Sequence, residues 1–102
     1  MVSDVMSLLT TNQILKAAIT KYGTRNQLWV VVEEMSELTK EVCKMVRGED
    51  NRDHIAEEIA DVYIMLEQLR MMAGLTNREV ASNIELKINR LRGRLTDSGG
   101  EE

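Results

Sequence analysis

The chain has 102 residues, of which 43% are hydrophobic and 29% are charged, and its formal net charge is −4. This composition excludes a disordered chain and, because no apolar run approaches the ~18 residues of a membrane span, an integral membrane protein. A pI near 5.1 provides no basic footprint for a nucleic-acid polymer, and a first segment without the basic and apolar parts of a signal peptide predicts a cytoplasmic protein.

Four α-helices are predicted, because the chain has no proline and its glycines follow amphipathic stretches. The first predicted helix runs from about Thr11 to Tyr22 and ends at Gly23, after a short N-terminal turn. The apolar residues of that turn are Val5, Met6, Leu8 and Leu9. Thr24 is predicted to cap the second helix, which runs from about Arg25 to Arg47.

The third and fourth predicted helices complete an all-α arrangement. The third runs from about Asp53 to Ala73, and the fourth opens with a capping box at Thr76-Asn77-Arg78-Glu79 and ends near Arg94. Short loops favour antiparallel neighbours. We therefore expect residues 1–95 to form a single four-helix bundle whose second and third helices are antiparallel, and residues 96–102 to form a disordered acidic tail.

Apolar residues at three- and four-residue spacing predict the core-facing side of each long helix. On the second helix these residues are Leu28, Val32, Met35, Leu38, Val42 and Met45. On the third they are Ile55, Ile59, Val62, Leu66 and Leu69, and on the fourth Val80, Ile84, Ile88, Leu91 and Leu95. Another face of the second helix carries Glu34, Glu37 and Glu41.

Two similar acidic clusters are the strongest functional signal. They are Glu33-Glu34-Met35-Ser36-Glu37 and Glu57-Glu58-Ile59-Ala60-Asp61, which lie 24 positions apart. Carboxylates three residues apart share one helix face, and aliphatic residues surround both clusters, so some of these acids are expected to be partly buried. Because buried like charges require a proton or a cation, the two clusters together predict a metal site.

The donor atoms indicate which metal this site would hold. Oxygen ligands favour magnesium, manganese or calcium, whereas His54 and Cys43, each the one residue of its type, are too few for a nitrogen or sulfur site. A di-iron bundle needs a second Glu-x-x-His pair, and a calcium-binding hand takes its ligands from a glycine-containing loop. A non-catalytic helical oligomer, whose acids pair with Lys40, Lys44, Arg47 and Arg52, is the alternative interpretation.

The two clusters resemble the signature of the MazG-like all-α nucleoside triphosphate pyrophosphohydrolases, which is Glu-x-x-Glu followed by Glu-x-x-Asp on the next helix. The resemblance covers about Lys21 to Arg94 and is closest to the compact members from phages and Gram-positive bacteria. It includes Lys21-Tyr22-Gly23, Gln27 and both acidic clusters. One departure is Leu91, which stands where many relatives have an asparagine four residues after the lysine of the last helix.

This resemblance implies a Mg²⁺-dependent enzyme, with Mn²⁺ as a substitute, that cleaves a nucleoside triphosphate into the monophosphate and pyrophosphate. The implied ligands and catalytic residues are Glu34, Glu37, Glu58 and Asp61, with Glu37 as the proton acceptor and Glu33 and Glu57 as outer support. The implied contacts to substrate are Gln27, Trp29, Lys87, Arg90 and Arg94. It further implies a homodimer or homotetramer. The alternative remains a non-catalytic module that binds a protein or a nucleotide.

Overall fold

The computed structural model describes the backbone of residues 10–101 and the side chains of residues 10–97. Within this range the chain forms four α-helices and no strand, which confirms the all-α prediction. We name these helices α1 (Thr11–Tyr22), α2 (Thr24–Val46), α3 (Arg52–Met72) and α4 (Asn77–Glu101). The predicted N-terminal turn with Val5, Met6, Leu8 and Leu9 lies outside the described residues, as does Glu102. None of the four helices has the length and hydrophobicity needed to cross a lipid bilayer.

A single glycine connects α1 to α2. Gly23 adopts φ +90°, a conformation that other residues rarely adopt, and its N–H donates to the carbonyl oxygen of Ile19 over 2.8 Å. Thr24 is the first residue of α2, and no side chain caps this helix, so the predicted threonine cap is wrong. Gly23 itself occupies the capping position of α2, and it has no side chain that could accept a hydrogen bond.

The turn between α3 and α4 is held by several hydrogen bonds. The Arg70 guanidinium donates to the carbonyl oxygen of Leu75 over 2.8 Å and to the Glu67 carboxylate over 3.0 Å. At the start of α4, the Glu79 carboxylate accepts from the Thr76 N–H over 2.7 Å, and the Glu79 N–H donates to the Thr76 hydroxyl over 3.1 Å. The predicted capping box is therefore confirmed, and it fixes the direction in which α4 leaves α3.

Helices α1, α2 and α3 pack together, and the contact between α2 and α3 is the most extensive. The buried residues of α2 are Gln27, Val31 and Glu41, and those of α3 are Met65 and Gln68. Polar and apolar side chains thus alternate along the α2–α3 interface. Among the described residues, the buried hydrophobic side chains are only Leu15, Val31 and Met65.

The predicted core of the long helices is largely exposed in the single chain, except for the half-buried Ile55, Val62 and Leu69 on α3. On α2, every residue of the predicted apolar stripe except the half-buried Leu38 is exposed, and on α3, Ile59 and Leu66 are exposed. The residues of α2 that meet α3 each lie one position before a residue of the predicted apolar stripe. This offset corresponds to a rotation of about 100° about the helix axis. The acid-bearing side of α2 therefore packs on α3, while its apolar side faces outward.

Helix α4 extends away from the other three helices. All of its residues from 77 to 97 are exposed, and the helix continues to Glu101, beyond the predicted end near Arg94. The Cα radius of gyration is 18.0 Å, whereas a compact chain of this length has about 13 Å. Of the four helices between residues 10 and 101, only three consequently share a core.

Candidate metal centre

Three carboxylates meet in the middle of the α2–α3 interface. Glu34 comes from α2, and Glu58 and Asp61 come from α3; one carboxylate oxygen of each lies within 4.8 Å of the others. Their backbones are held rigidly because each residue sits well inside a helix of more than 20 residues. The structure thus brings together one acid of the first sequence cluster and two acids of the second.

The three carboxylates repel one another and are only partly hydrated. Burial raises the pKa of Glu34, as do a hydrogen bond shared with Asp61 and the negative charges of Asp61 and Glu58. The pKa of Glu58 is raised mainly by burial and then by the charge of Asp61. No ion pair in the described part of the chain joins a lysine or arginine to any of the three. The cluster therefore holds like charges without a basic side chain to balance them.

One acceptor atom in this cluster is left unsatisfied. Glu58 Oε2 is buried and accepts no hydrogen bond from any described residue. A buried acceptor without a partner is unfavourable, and either a proton or a cation at this position would satisfy it. Because all the available ligand atoms are carboxylate oxygens, a cation at this position would be a hard one.

Glu37 lies beside the cluster but does not belong to it. Its carboxylate pairs with Lys40 over 3.3 Å, and about half of its side chain is exposed. Its negative charge nevertheless contributes to the raised pKa of both Glu34 and Glu58. Glu37 thus influences the charge of the cluster while remaining in contact with water.

The two outer acids of the sequence clusters are exposed and lie outside the group of three carboxylates. Glu33 is on the surface of α2. Glu57 is on the surface of α3, where its carboxylate lies 3.6 Å from Nδ1 of His54. Neither is brought into the cluster by the fold of the single chain, so their predicted role as outer support remains a prediction.

A buried amide pair lies on one side of the cluster. Gln27 Nε2 donates to Gln68 Oε1 over 2.8 Å, and Gln68 Nε2 donates to the carbonyl oxygen of Leu15 over 3.3 Å. Gln27 is 8% exposed and Gln68 2%. Gln27, predicted as a substrate contact, therefore ties α2 to α3 in the single chain, and Gln68 in turn ties α3 to α1.

A second buried polar contact lies on the other side of the cluster. Asn51 Nδ2 donates to both the backbone oxygen and Oε1 of Glu41, over 2.8 and 2.9 Å. Glu41 also pairs with Lys44 over 3.1 Å, and these two partners lower the pKa of its carboxylate. Sequence reasoning missed both Asn51 and Gln68, although each lies seven residues from an acid of the second cluster, a spacing of about two helical turns.

The remaining predicted substrate contacts are on open surfaces. Trp29 is 59% exposed on α2, and Lys87, Arg90 and Arg94 are exposed on α4. No ion pair between residues 10 and 97 connects these three bases to the carboxylate cluster. Within the described part of one chain, the predicted acidic and basic site residues are therefore not paired with one another.

No protein-family model, curated protein or solved structure matches this chain. The fold and the site define a class of protein by their own features. It is an all-α protein in which two adjacent helices hold three carboxylates against each other.

Proposed function

We propose that this protein is a Mg²⁺-dependent nucleoside triphosphate pyrophosphohydrolase of the MazG-like type. It would convert a ribo- or deoxyribonucleoside triphosphate into the monophosphate and pyrophosphate, and so remove surplus or unwanted nucleotides. The observation that carries this proposal is the meeting of Glu34, Glu58 and Asp61 without a balancing base. The sequence resemblance, whose four implied ligands include these three acids and also Glu37, supports it.

Glu34, Glu58 and Asp61 would hold the metal, and Glu33 and Glu57 would support it from outside. A bound Mg²⁺ or Mn²⁺ ion supplies Lewis acidity and lowers the pKa of a bound water. The cation would also balance the charges that now raise the pKa of Glu34 and Glu58. We therefore expect metal binding to release protons and to stabilise the folded chain.

The chain's own residues account for the remaining parts of the reaction. Glu37, which is half exposed beside the cluster, would accept the proton of the attacking water. The new bond forms between the water oxygen and the α-phosphorus. The bond from that phosphorus to the oxygen that bridges the α- and β-phosphates breaks, and pyrophosphate leaves with the bridging oxygen. Trp29 offers an exposed ring on which a nucleobase can stack.

Three bases of α4 would bind the phosphates. Lys87, Arg90 and Arg94 are three and four residues apart, so they form one row along the helix. This row flanks the apolar stripe that includes Ile84 and Leu91. If the stripe packs against a second copy of the chain, the row faces that copy, and the site would then combine acids of one chain with bases of the other.

The proposed MazG-like arrangement requires α2 and α3 to be antiparallel. Three pairs of contacts support this direction. Gln27 near the start of α2 contacts Gln68 near the end of α3, Glu34 meets Asp61, and Glu41 near the end of α2 contacts Asn51 just before α3. As the residue number rises along α2, the number of its partner falls.

We further propose that the active form is a homodimer or homotetramer. Most of the apolar stripe of α2, the whole stripe of α4, and Ile59 and Leu66 on α3 are exposed in the single chain. A groove of about 590 Å³ between α3 and α4 is lined by Tyr63, Leu66, Val80 and Ile84 among others. Monomers rarely expose large contiguous apolar surfaces. A stable interface buries about 1,200–2,000 Å² in total, and a long exposed helix with one apolar side can contribute a large part of it.

The proposal is tested by incubating the protein with a panel of nucleoside triphosphates, with Mg²⁺ or with a chelator, and separating the products by chromatography. We expect monophosphate and pyrophosphate only with Mg²⁺, and loss of turnover in Glu58→Gln with helical content retained. The matched control is Glu85→Gln, which removes an exposed acid of α4. Diphosphate and phosphate as products would refute the proposed cleavage position.

A second candidate function is favoured by the exposed stripe of α4. A non-catalytic helical oligomer that binds a protein or a nucleotide would also leave apolar helix faces exposed in one chain. The same assay separates the candidates. Saturable nucleotide binding without product would favour a binding module, and neither metal binding nor product would favour a protein-interaction module.

A further inference from the structure

The buried amide pair lies two helical turns from the carboxylate cluster on both helices. Gln27 precedes Glu34 by seven residues, and Gln68 follows Asp61 by seven residues. Residues seven apart fall on nearly the same side of a helix. The Gln27–Gln68 bond and the Glu34–Asp61 approach are therefore made by the same two helix faces, so a shift that changes one must change the other.

The contact on the other side of the cluster has the same spacing. Glu41 follows Glu34 by seven residues, and Asn51 precedes Glu58 by seven residues. The Asn51 amide donates to Glu41 over 2.9 Å, and this carboxylate is already paired with Lys44. The cluster thus lies between two buried polar contacts, each about two helical turns away. The Gln27–Gln68 contact joins α2 to α3, and the Glu41–Asn51 contact joins α2 to the residue that precedes α3.

We propose that the Gln27–Gln68 and Glu41–Asn51 contacts act as clamps that fix the position of α2 along α3, and that they thereby hold the three carboxylates in place for a cation. Gln27, Gln68 and Asn51 are positioning residues on this proposal, because they act through Glu34, Glu58 and Asp61. The inference rests on the proposed metal site. It also gives Gln27 a role different from contact with substrate.

The physical need for such clamps follows from the charges in the interface. Without a cation, repulsion between Glu34 and its two acidic neighbours favours any sliding or separation that moves them apart. A slide of one residue moves a helix by about 1.5 Å, which is comparable with a Mg²⁺–oxygen distance of about 2.1 Å. The apolar contacts of Val31 and Met65 are non-directional and can form at several alignments of α2 along α3. An amide hydrogen bond is directional and forms at one alignment only.

The test separates alignment from stability by using methionine, which is close to glutamine in size but forms no amide hydrogen bond. The variants are Gln27→Met, Gln68→Met and the double variant. Each single variant leaves one buried amide without its partner, whereas the double variant replaces both by apolar groups, which can restore stability. The control is Met65→Leu, which changes packing at the same interface without removing a hydrogen bond.

Binding of Mn²⁺ alone is measured by calorimetry, together with the thermal unfolding midpoint and the helical circular dichroism without metal. We expect the single variants to lose both thermal stability and Mn²⁺ affinity. The double variant should recover thermal stability but bind Mn²⁺ about 10-fold or more weakly than the wild type, the range seen when groups that orient ligands are removed. Met65→Leu should keep the wild-type affinity.

The outcomes distinguish this inference from the proposed function. If the wild type and the double variant bind Mn²⁺ equally, the clamps are overturned while the metal site stands. If the wild type does not bind Mn²⁺, both the metal site and the clamps are overturned. If the double variant loses its helical signal, the two amides are needed for folding itself rather than for the alignment of α2 with α3, and the inference is again overturned.

Discussion

Replacing Glu34 by glutamine should stabilise the metal-free protein at neutral pH. The change removes one negative charge from a cluster whose carboxylate oxygens lie within 4.8 Å of one another. At that distance, two unit charges repel by about 1 kcal/mol in water and by about 3.5 kcal/mol at an effective dielectric constant of 20. Because Glu34 is only half-buried, solvent screens its charge, and the repulsion energy between Glu34 and Asp61 falls at the lower end of this range, near 1 kcal/mol.

The assay is thermal unfolding followed by circular dichroism, first with a chelator and then with Mg²⁺. A gain of about 1 kcal/mol corresponds to a rise of about 4–8 °C in the midpoint for a domain of this size. Mg²⁺ should then raise the midpoint of the wild type, by the equivalent of about 2.7 kcal/mol at 100 times its dissociation constant. The variant, which has lost one ligand, should respond much less.

The control is Glu85→Gln, which makes the same charge change on the exposed surface of α4 and should leave both midpoints nearly unchanged. The reasoning is refuted if Glu34→Gln lowers the metal-free midpoint, because the carboxylates would then not be repelling one another. It is refuted equally if Mg²⁺ stabilises the variant as strongly as the wild type, since Glu34 would then not be a ligand.

Three further predictions concern pH, the start of α4 and assembly. The folded-state pKa of Glu34 lies above its ordinary value of 4.5. Its favourable contribution to the free energy of unfolding is therefore present below pH 4.5 and is lost as the pH rises through the folded-state pKa. In urea unfolding, the metal-free wild type should lose stability over that interval relative to Glu34→Gln. Thr76→Ala removes the hydroxyl that accepts from the Glu79 N–H and should lower the unfolding free energy by about 1 kcal/mol. Urea unfolding measures this change as well, and an unchanged midpoint would mean that α4 frays independently of the other helices. Ile88→Asp on the apolar side of α4 should convert the proposed oligomer to a monomer in light scattering coupled to size-exclusion chromatography. Leu86→Asp, on the opposite side of that helix, should leave the assembly intact, and equal effects of the two changes would show that the apolar stripe is not the interface.

Much of the local structure was predictable because it depends on neighbouring residues. Gly23 marks the end of α1, and the Thr76–Glu79 capping box marks the start of α4, since each acts within a few residues of its own position. Glu34, Glu58 and Asp61 were among the four acids predicted to share a site, because acids three residues apart inside apolar helical sequence have few favourable environments. The fourth, Glu37, lies outside the group of three. The helix-end predictions require no knowledge of how the helices pack, whereas the meeting of Glu34 with Glu58 and Asp61 depends on the packing of α2 on α3.

The direction in which each helix faces was not predictable in the same way. Val32 and Met35 form an apolar stripe and were expected in the core, but they are exposed, while Gln27 and Glu41 are buried. Periodicity identifies an apolar face without identifying what covers it. A helix whose apolar side is reserved for a second copy of the chain has the same spacing as one that packs within its own chain.

The sequence by itself therefore determined that the described part of the chain forms four α-helices and that α2 and α3 each carry a cluster of acids, because helix formation, capping and side-chain spacing are local properties. Only the tertiary structure decided that the acid-bearing side of α2 meets α3, that Gln68 and Asn51 bracket the carboxylates, and that α4 stands apart from the other helices. These features depend on contacts between residues distant in the sequence, such as Gln27 and Gln68, whose pairing no local pattern specifies.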